Sequence, residues 1–201
     1  FYAGTRGEVA RKLRAAQRQA EHGMLASGPD QTCGNYLADW LENRVKATRR
    51  PRTWESYEER VRLHILPDLG HLRLRKLAPQ HLQRLYAQKL SDGLSATTVN
   101  HIHCVISSAL AQAARWELVP RNVASLVEPP RKLPADPNPL SVDTLATLLD
   151  EIEGHRHENM WMLMLGTGLR FGEAAGLAWS DVDVQVATVT VRHTLSRVRG
   201  G

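Results

Sequence analysis

One short segment of the chain combines an arginine and an acid in a spacing that suits phosphate chemistry. Arg170 follows Gly168 by two residues, and Glu173 lies one helical turn further along. Because Gly168 permits a tight turn, Arg170 is expected to be held at the start of a helix. A guanidinium offers a planar donor pair that matches two phosphate oxygens and stays charged at any working pH. Arg170 is therefore a candidate phosphate-binding residue, and Glu173 is a candidate support for it.

The elements that must position this arginine begin after a proline-rich segment. Residues 129–139 hold five prolines in eleven positions, which predicts a semi-extended linker and the main domain boundary. Beyond it, Ser141 is expected to cap an amphipathic helix that ends near Gly154. Residues 158–166 predict a fully buried helix, and the valine-rich stretch 182–191 predicts a β-hairpin.

The chain before the linker shows helical periodicity without strand patterns. Residues 32–128 therefore predict an all-α domain. Its helices are expected to follow a Thr32 cap, to begin at about Thr53 and stop at Pro67, to run from Pro79 to Gly93, and to run from Ser95 or Thr97 to Trp116, before a short one at about 120–127. Residues 1–23 predict a further helix over 5–22, and residues 24–31 predict a linker.

Charge is unevenly distributed along the chain. Residues 32–128 carry 14 Lys and Arg against 9 Asp and Glu, whereas residues 139–201 carry 5 against 8. Such an excess is expected of a domain that follows phosphates, although on its own it would serve solubility equally well. The first half is thus the better candidate for contact with nucleic acid.

Several classes of protein do not fit this composition. No apolar run approaches membrane-spanning length and no signal segment opens the chain, so we expect a cytoplasmic protein without a membrane partner. The two cysteines form no disulfide framework. His101 and His103 stand two residues apart on one predicted helix, which points their rings away from each other, so we expect no metal and no other cofactor. Since the first residue is Phe1, the sequence is expected to be part of a longer protein.

The segment 167–183 resembles the first catalytic-arginine box of the tyrosine recombinases, the phage-integrase family. Upstream stretches resemble the family's helical core-binding domain, namely residues 53–57, 64–70, 77–90, 94–100 and 114–123, and residues 1–23 resemble the last helix of an arm-binding domain. The family usually has Asn-Pro where this chain has Asn122-Val123. The resemblance implies a mainly α fold: an all-α SAM-like core-binding domain over 32–128, followed in 140–201 by the truncated start, helices plus β-hairpin, of an α+β catalytic domain.

In that family the bound partner is double-stranded DNA, and Arg170 would hold the scissile phosphate with Glu173 in support. The stretch 44–52 has five basic residues and no acid, and the helices beginning near Thr53 and Thr97 present N–H groups that suit phosphates. The candidate DNA contacts are Arg49, Arg50, Arg52, Thr53, Thr97 and Asn100. The alternative is a solvated basic loop followed by ordinary helix caps.

The family's remaining catalytic residues lie downstream of this arginine: a tyrosine that forms a 3′-phosphotyrosyl bond, a lysine, a His-x-x-Arg pair and a further His or Trp. In this sequence no tyrosine follows Tyr86 and no lysine follows Lys132. A phenol with a pKa of about 10 needs such neighbours to react. We therefore expect this polypeptide neither to cleave nor to rejoin DNA.

The expected function is the DNA-binding portion of a bacterial or phage-encoded site-specific recombinase. Its intact form would integrate and recombine DNA by strand cleavage and rejoining, and would self-associate on attachment-site-like DNA. The first alternative is a non-catalytic DNA-binding protein that occupies recombination sites. A more distant one is a helical protein-interaction module.

Overall fold

The computed structural model describes residues 5, 7–10, 30–131 and 138–197. The chain divides into two compact units, Phe1–Pro134 and Ala135–Gly201. We call the first the helical unit and the second the arginine unit. Most of the helix predicted over 5–22, the 24–31 linker and the centre of the proline-rich linker lie outside the described residues.

Residues 30–131 of the helical unit form four main helices. Helix α1 is Cys33–Trp40 and continues through a π-helical segment, Leu41–Val45, into a last turn, Lys46–Thr48. Helix α2 is Pro51–Arg60 and continues through a second π-helical segment, Val61–Ile65, into Leu66–Leu69. Helix α3 is Pro79–Ser91 and helix α4 is Ala96–Arg115. The same residues also form two short 3-10 helices, Leu74–Lys76 and Val123–Leu126.

The helix starts follow from local chemistry. The Thr32 hydroxyl accepts the Asn35 N–H at 3.2 Å, and the Ser95 hydroxyl accepts the Thr98 N–H at 3.2 Å, so each satisfies a donor of the first turn. Pro51 and Pro79 open the other two helices, at positions where a backbone N–H is not needed. The helix starts predicted at Thr32, Pro79 and Ser95 are confirmed, whereas α2 begins at Pro51, two residues before the predicted Thr53.

The prediction that Pro67 stops the second helix is wrong. The helix runs on to Leu69, with Pro67 in its last turn. The turn before the proline is π-helical, and the Leu66 N–H bonds to the Val61 carbonyl five residues back. Since a π turn shifts the hydrogen-bond pattern, the helix accommodates a residue that lacks an N–H and would clash with a regular preceding turn.

One apolar core holds the helical unit together. Its largest fully buried side chains include Tyr36, Ile65, Leu82 and Ile102, which come from all four helices. The Tyr36 hydroxyl donates to the Ala109 carbonyl at 2.6 Å, so the ring is buried without an unsatisfied polar atom. The core thus fixes α1 against α4.

The arginine unit has three helices and one hairpin among its described residues. They are α5, Val142–Ile152; α6, Glu158–Thr167; α7, Phe171–Ala175; the strands β1, Val182–Asp183, and β2, Thr188–Val189; and a 3-10 turn, Trp179–Asp181, before β1. The strands pair antiparallel with Val182 opposite Val189. The prediction of a mainly helical chain with a hairpin near its C-terminal end is confirmed.

The prediction that the helix at 158–166 is fully buried is wrong. No residue of α6 is buried, and Trp161, Met162 and Leu165 are exposed. Helix α6 is apolar on all sides, whereas within its own unit it packs against α7 on one side. Apolar side chains on the other sides therefore face solvent.

Candidate nucleic-acid interface

Arg170 lies between α6 and α7, where the backbone turns sharply. Gly168 ends α6 with φ +70°, a left-handed conformation that suits glycine, and its N–H bonds to the Met164 carbonyl at 2.8 Å. Arg170 is the N-cap of α7. Glu173 accepts the Arg170 backbone N–H with Oε2 at 2.9 Å and the Arg170 Nη1 with Oε1 at 3.2 Å. One carboxylate therefore holds both the backbone and the guanidinium of Arg170.

These contacts set the protonation of the acid. The backbone N–H of Arg170 contributes most to lowering the pKa of Glu173 below its ordinary value, and the guanidinium adds to it. The stabilisation is present above the ordinary pKa and is lost as pH falls through the lowered one. At neutral pH the pair is intact, while the Arg170 side chain remains 85% exposed. The guanidinium is thus oriented through Nη1, while most of the side chain remains accessible to an anion.

Two glycines let an extended segment cross α7. The Leu195 N–H donates to the Gly172 carbonyl at 2.8 Å. A Cβ on Gly172 would lie 2.7 Å from the Leu195 carbonyl oxygen, and one on Gly176 would lie 2.9 Å from the His193 carbonyl oxygen. Because both neighbours are backbone atoms, neither can move aside cheaply, and the glycines are needed for this packing.

Replacing Gly172 by alanine is expected to lower the free energy needed to open the contact with Leu195 by about 1–3 kcal/mol, the usual range for overpacking. The Leu195 amide should then exchange with solvent faster, by roughly 5- to 150-fold for that range. Hydrogen exchange measured by NMR on the full chain checks this. Gly166→Ala is the control, since a Cβ at that position of α6 meets nothing within 4 Å. Equal exchange of the Leu195 amide in both variants would contradict the proposed role of Gly172.

A buried carboxylate braces the segment after α7. Asp181 accepts the Ala178 N–H with Oδ2 at 3.0 Å and the Arg192 Nη1 with Oδ1 at 3.2 Å. Its backbone carbonyl accepts the Thr190 N–H at 2.8 Å. Asp181 lies within the segment 167–183 but is not among the site residues predicted from the sequence. The acid three residues after Ala178, before a strand, is the signal that identifies it as a helix-start cap.

Four of the predicted DNA contacts cluster where the helix that begins with α1 meets α2. Arg49, Arg50 and Arg52 are exposed, and Arg50 is the N-cap of α2. Arg52 Nη1 lies 3.6 Å from Oε2 of the buried Glu55, so its charge is partly compensated. Thr53 is half-buried in the first turn, with its N–H bonded to the Arg50 carbonyl at 2.9 Å.

The other two predicted contacts, Thr97 and Asn100, lie near the N-terminal end of α4. Thr97 is exposed in the first turn, whereas the Asn100 amide donates to the Pro130 carbonyl and, at 3.4 Å, to the Ala96 carbonyl. Gln112, which lines the same pocket as Arg49, lies about 22 Å along α4 from Thr97. The structure therefore brings the six residues together as two patches, and the Asn100 side-chain nitrogen is used within the chain.

Two arginines that the sequence analysis did not select, Arg44 and Arg115, share a groove with Arg49. The groove has a volume of about 590 Å³. We call it the basic groove; it is lined by Trp40, Arg44, Val45, Thr48, Arg49, Tyr57, Ser107, Ser108, Ala111, Gln112 and Arg115. Arg44 belongs to the basic stretch 44–52, but Arg115 is distant in sequence, and only the fold places it here.

Other candidate chemistry is sparse in the part of the chain that the structure describes. That part contains no group of three His, Cys, Asp or Glu side chains arranged to hold a metal ion. His103 pairs through Nδ1 with the Tyr86 hydroxyl at 3.0 Å, and burial lowers the pKa of His103. None of the described helices is both long and apolar enough to cross a bilayer.

Two family profiles match the sequence. The profile "Phage integrase, N-terminal SAM-like domain" matches residues 32–91, and the profile "Phage integrase family" matches residues 139–200. The integrase of Saccharopolyspora erythraea is 25% identical over 193 residues, which are 94% of this chain and 44% of that protein. The chain spans about half the length of the curated relatives it matches.

Solved integrase structures share this fold. The Tn1549 transposon integrase, in complex with a circular intermediate DNA, matches with a TM-score of 0.71 at 22% identity, over 85% of this chain and 55% of that chain. A lambda integrase dimer bound to a COC′ core site matches with a TM-score of 0.68 at 16% identity, over 85% and 47%. With both profiles matched in order, this chain belongs to the phage integrase family of tyrosine recombinases and comprises a SAM-like N-terminal domain followed by part of the catalytic domain.

Proposed function

We propose that this chain is the DNA-binding portion of a site-specific tyrosine recombinase that acts on duplex DNA in the cytoplasm of a bacterium. The helical unit binds the duplex through its basic surfaces, and Arg170 binds the scissile phosphate. In the whole protein, copies self-associate on an attachment-site-like sequence, where strands are cleaved and rejoined.

The observation that carries the proposal is the geometry at Arg170. Glu173 holds the arginine at a helix start while 85% of its side chain stays exposed. A preoriented guanidinium is suited to neutralise the charge that develops on non-bridging phosphate oxygens. The DNA-bound integrases of the same fold support duplex DNA as the partner.

The described tyrosines favour binding without cleavage by this polypeptide. Tyr36 and Tyr86 are buried and hydrogen-bonded, and burial raises the pKa of both phenols above their ordinary value. Tyr57 is half-buried and stacks on Trp40 with ring centroids 5.9 Å apart. Neither Tyr36 nor Tyr86 has the free, activated hydroxyl that attack on a phosphate requires, and the Tyr57 ring is engaged in the stack.

One experiment tests both parts of the proposal. The 201-residue chain is mixed with a fluorescein-labelled, nicked 30-base-pair duplex, and binding is followed by anisotropy across a salt series. We expect binding that weakens steeply with salt, because phosphate contacts release counterions. On denaturing gels of the same mixtures we expect no protein–DNA covalent band.

The controls keep the two results separate. A tyrosine recombinase with demonstrated activity on its own nicked site serves as the positive control for the covalent band. Absence of duplex binding at low salt would remove the proposed function. A covalent band from this chain would show that one of its own residues attacks DNA, and would overturn the proposal that it binds without cleaving.

A further inference from the structure

The basic groove concentrates positive charge that the chain does not neutralise. Its lining includes Arg44, Arg49 and Arg115 and no acidic side chain. Within the described residues, no ion pair involves any of these three arginines. Five other cations of the helical unit do have acidic partners, namely Lys46, Arg52, Arg62, Arg73 and Lys89. The groove therefore has an unbalanced charge that suits an anion.

The floor and one wall of this groove are rigid. Trp40 is 2% exposed and stacks on Tyr57 with an interplanar angle of 23°. Arg44 belongs to the π-helical segment Leu41–Val45, and its carbonyl accepts the Thr48 hydroxyl at 2.7 Å. π-helical turns are rare and often occur at functional sites. The guanidinium of Arg44 thus projects from a well-anchored backbone.

The opposite wall is one face of α4. Ser108 and Gln112 are four residues apart, as are Ala111 and Arg115, so both pairs share that face. The serine and glutamine offer hydrogen bonds, and the small Ala111 allows close approach of a polymer backbone. From Ser107 to Arg115 the helix rises about 12 Å, the distance over which one strand of B-DNA presents about three to four phosphates.

We infer that the basic groove is a phosphodiester-binding subsite, in which Arg44, Arg49 and Arg115 bind successive phosphates of one DNA strand. The inference rests on the proposed function and adds Arg44 and Arg115 to it. Duplex DNA is favoured over an acidic polypeptide because Arg49 also borders the exposed Arg50 at the start of α2, so that the charge continues beyond the groove. Guanidinium groups bind phosphate oxygens in pairs, which suits a ladder of phosphates.

The test measures duplex affinity of the full chain across a salt series for single variants. We expect Arg44→Gln and Arg115→Gln each to weaken binding roughly tenfold at 0.1 M salt, and to reduce the slope of log K against log salt by about 0.9. Arg84→Gln is the matched control, because Arg84 is exposed on α3 and does not line the groove. Arg115→Lys, which keeps the charge, should keep the slope.

The outcomes separate this inference from the proposed function. If the unmodified chain binds no duplex, the proposed function fails and the subsite fails with it. If that chain binds while Arg44→Gln and Arg115→Gln keep its slope, the subsite alone is refuted. Titration with poly-L-glutamate examines the other occupant. Weaker poly-L-glutamate binding together with unchanged duplex binding in these variants would identify the groove as a site for acidic polypeptide and overturn the inference. Circular dichroism confirms that each variant is folded.

Discussion

Replacing Trp40 by alanine is expected to lower the free energy of unfolding of the helical unit by about 3–5 kcal/mol, the usual range for a buried tryptophan. Trp40 is 2% exposed and stacks on Tyr57 at the point where α1 passes into its π-helical segment. Removing the ring leaves a cavity and takes away the floor of the basic groove. Since natural domains have about 5–15 kcal/mol of stability in total, this single change removes a large fraction of it.

Trp116→Ala provides the matched control for that experiment. Trp116 is 42% exposed and meets Tyr36 edge-on, with ring centroids 6.5 Å apart. Its loss should cost about 1 kcal/mol, the usual size of an aromatic edge contact plus part of its burial. Urea unfolding of the full chain, followed by circular dichroism at 222 nm, measures both variants. Equal losses for the two tryptophans would show that the stack on Tyr57 does not anchor this unit.

Replacing Arg49 and Arg50 together by alanine is expected to weaken duplex binding by about a hundredfold at 0.1 M salt. Both residues are exposed next to the start of α2, where helix N–H groups also favour an anion. Each lost phosphate contact releases about one counterion fewer, so the slope of log K against log salt should fall by nearly two. Anisotropy with the labelled duplex over 50–300 mM KCl measures both quantities.

A second double variant controls for net charge. The double variant Arg62→Ala, Arg73→Ala also removes two positive charges. In the structure, however, Arg62 pairs with Glu58 at 2.8 Å and Arg73 pairs with Asp30 at 3.8 Å. Exposed ion pairs contribute little to stability, so the control should stay folded. If the two double variants lose the same affinity with the same slope, overall charge explains the effect and the junction before α2 has no special role.

Local sequence signals predicted most of the helix starts in both units. Thr32, Ser95 and Ser141 cap helices because a hydroxyl followed by periodic apolar residues satisfies the first N–H groups whatever the tertiary context. The π-helical segments were not predicted, since nothing in residue periodicity distinguishes a five-residue closure from a regular turn over so short a stretch. The exposure of α6 could not be predicted from its sequence. An apolar composition shows that burial of a helix would be favourable, but it does not show which elements pack against that helix.

In the candidate site too, contacts between residues close in sequence could be predicted, whereas contacts between distant residues could not. Arg170 and Glu173 are three residues apart, so their pairing follows from helix geometry and could be predicted. The basic groove joins Arg44 to Arg115, which no short-range pattern connects. Asn100 is a further example of a distant contact. The sequence predicts it to contact DNA, whereas in the structure its side-chain amide donates to the carbonyl of Pro130, thirty residues away.

The π-helical segment Leu41–Val45 also has a consequence for the angular phase of the helix that contains it. A π turn holds one residue more than the α turn it replaces, and each residue of an α-helix advances the direction of its side chain by about 100°. The side chains of the last helical turn, Lys46–Thr48, therefore point about a quarter-turn away from where an uninterrupted helix would aim them. Deleting the exposed Asn43 would leave the net charge and the buried core residues in place, yet would turn the last helical turn, and the chain that leads from it to Arg49, toward a different side of the unit.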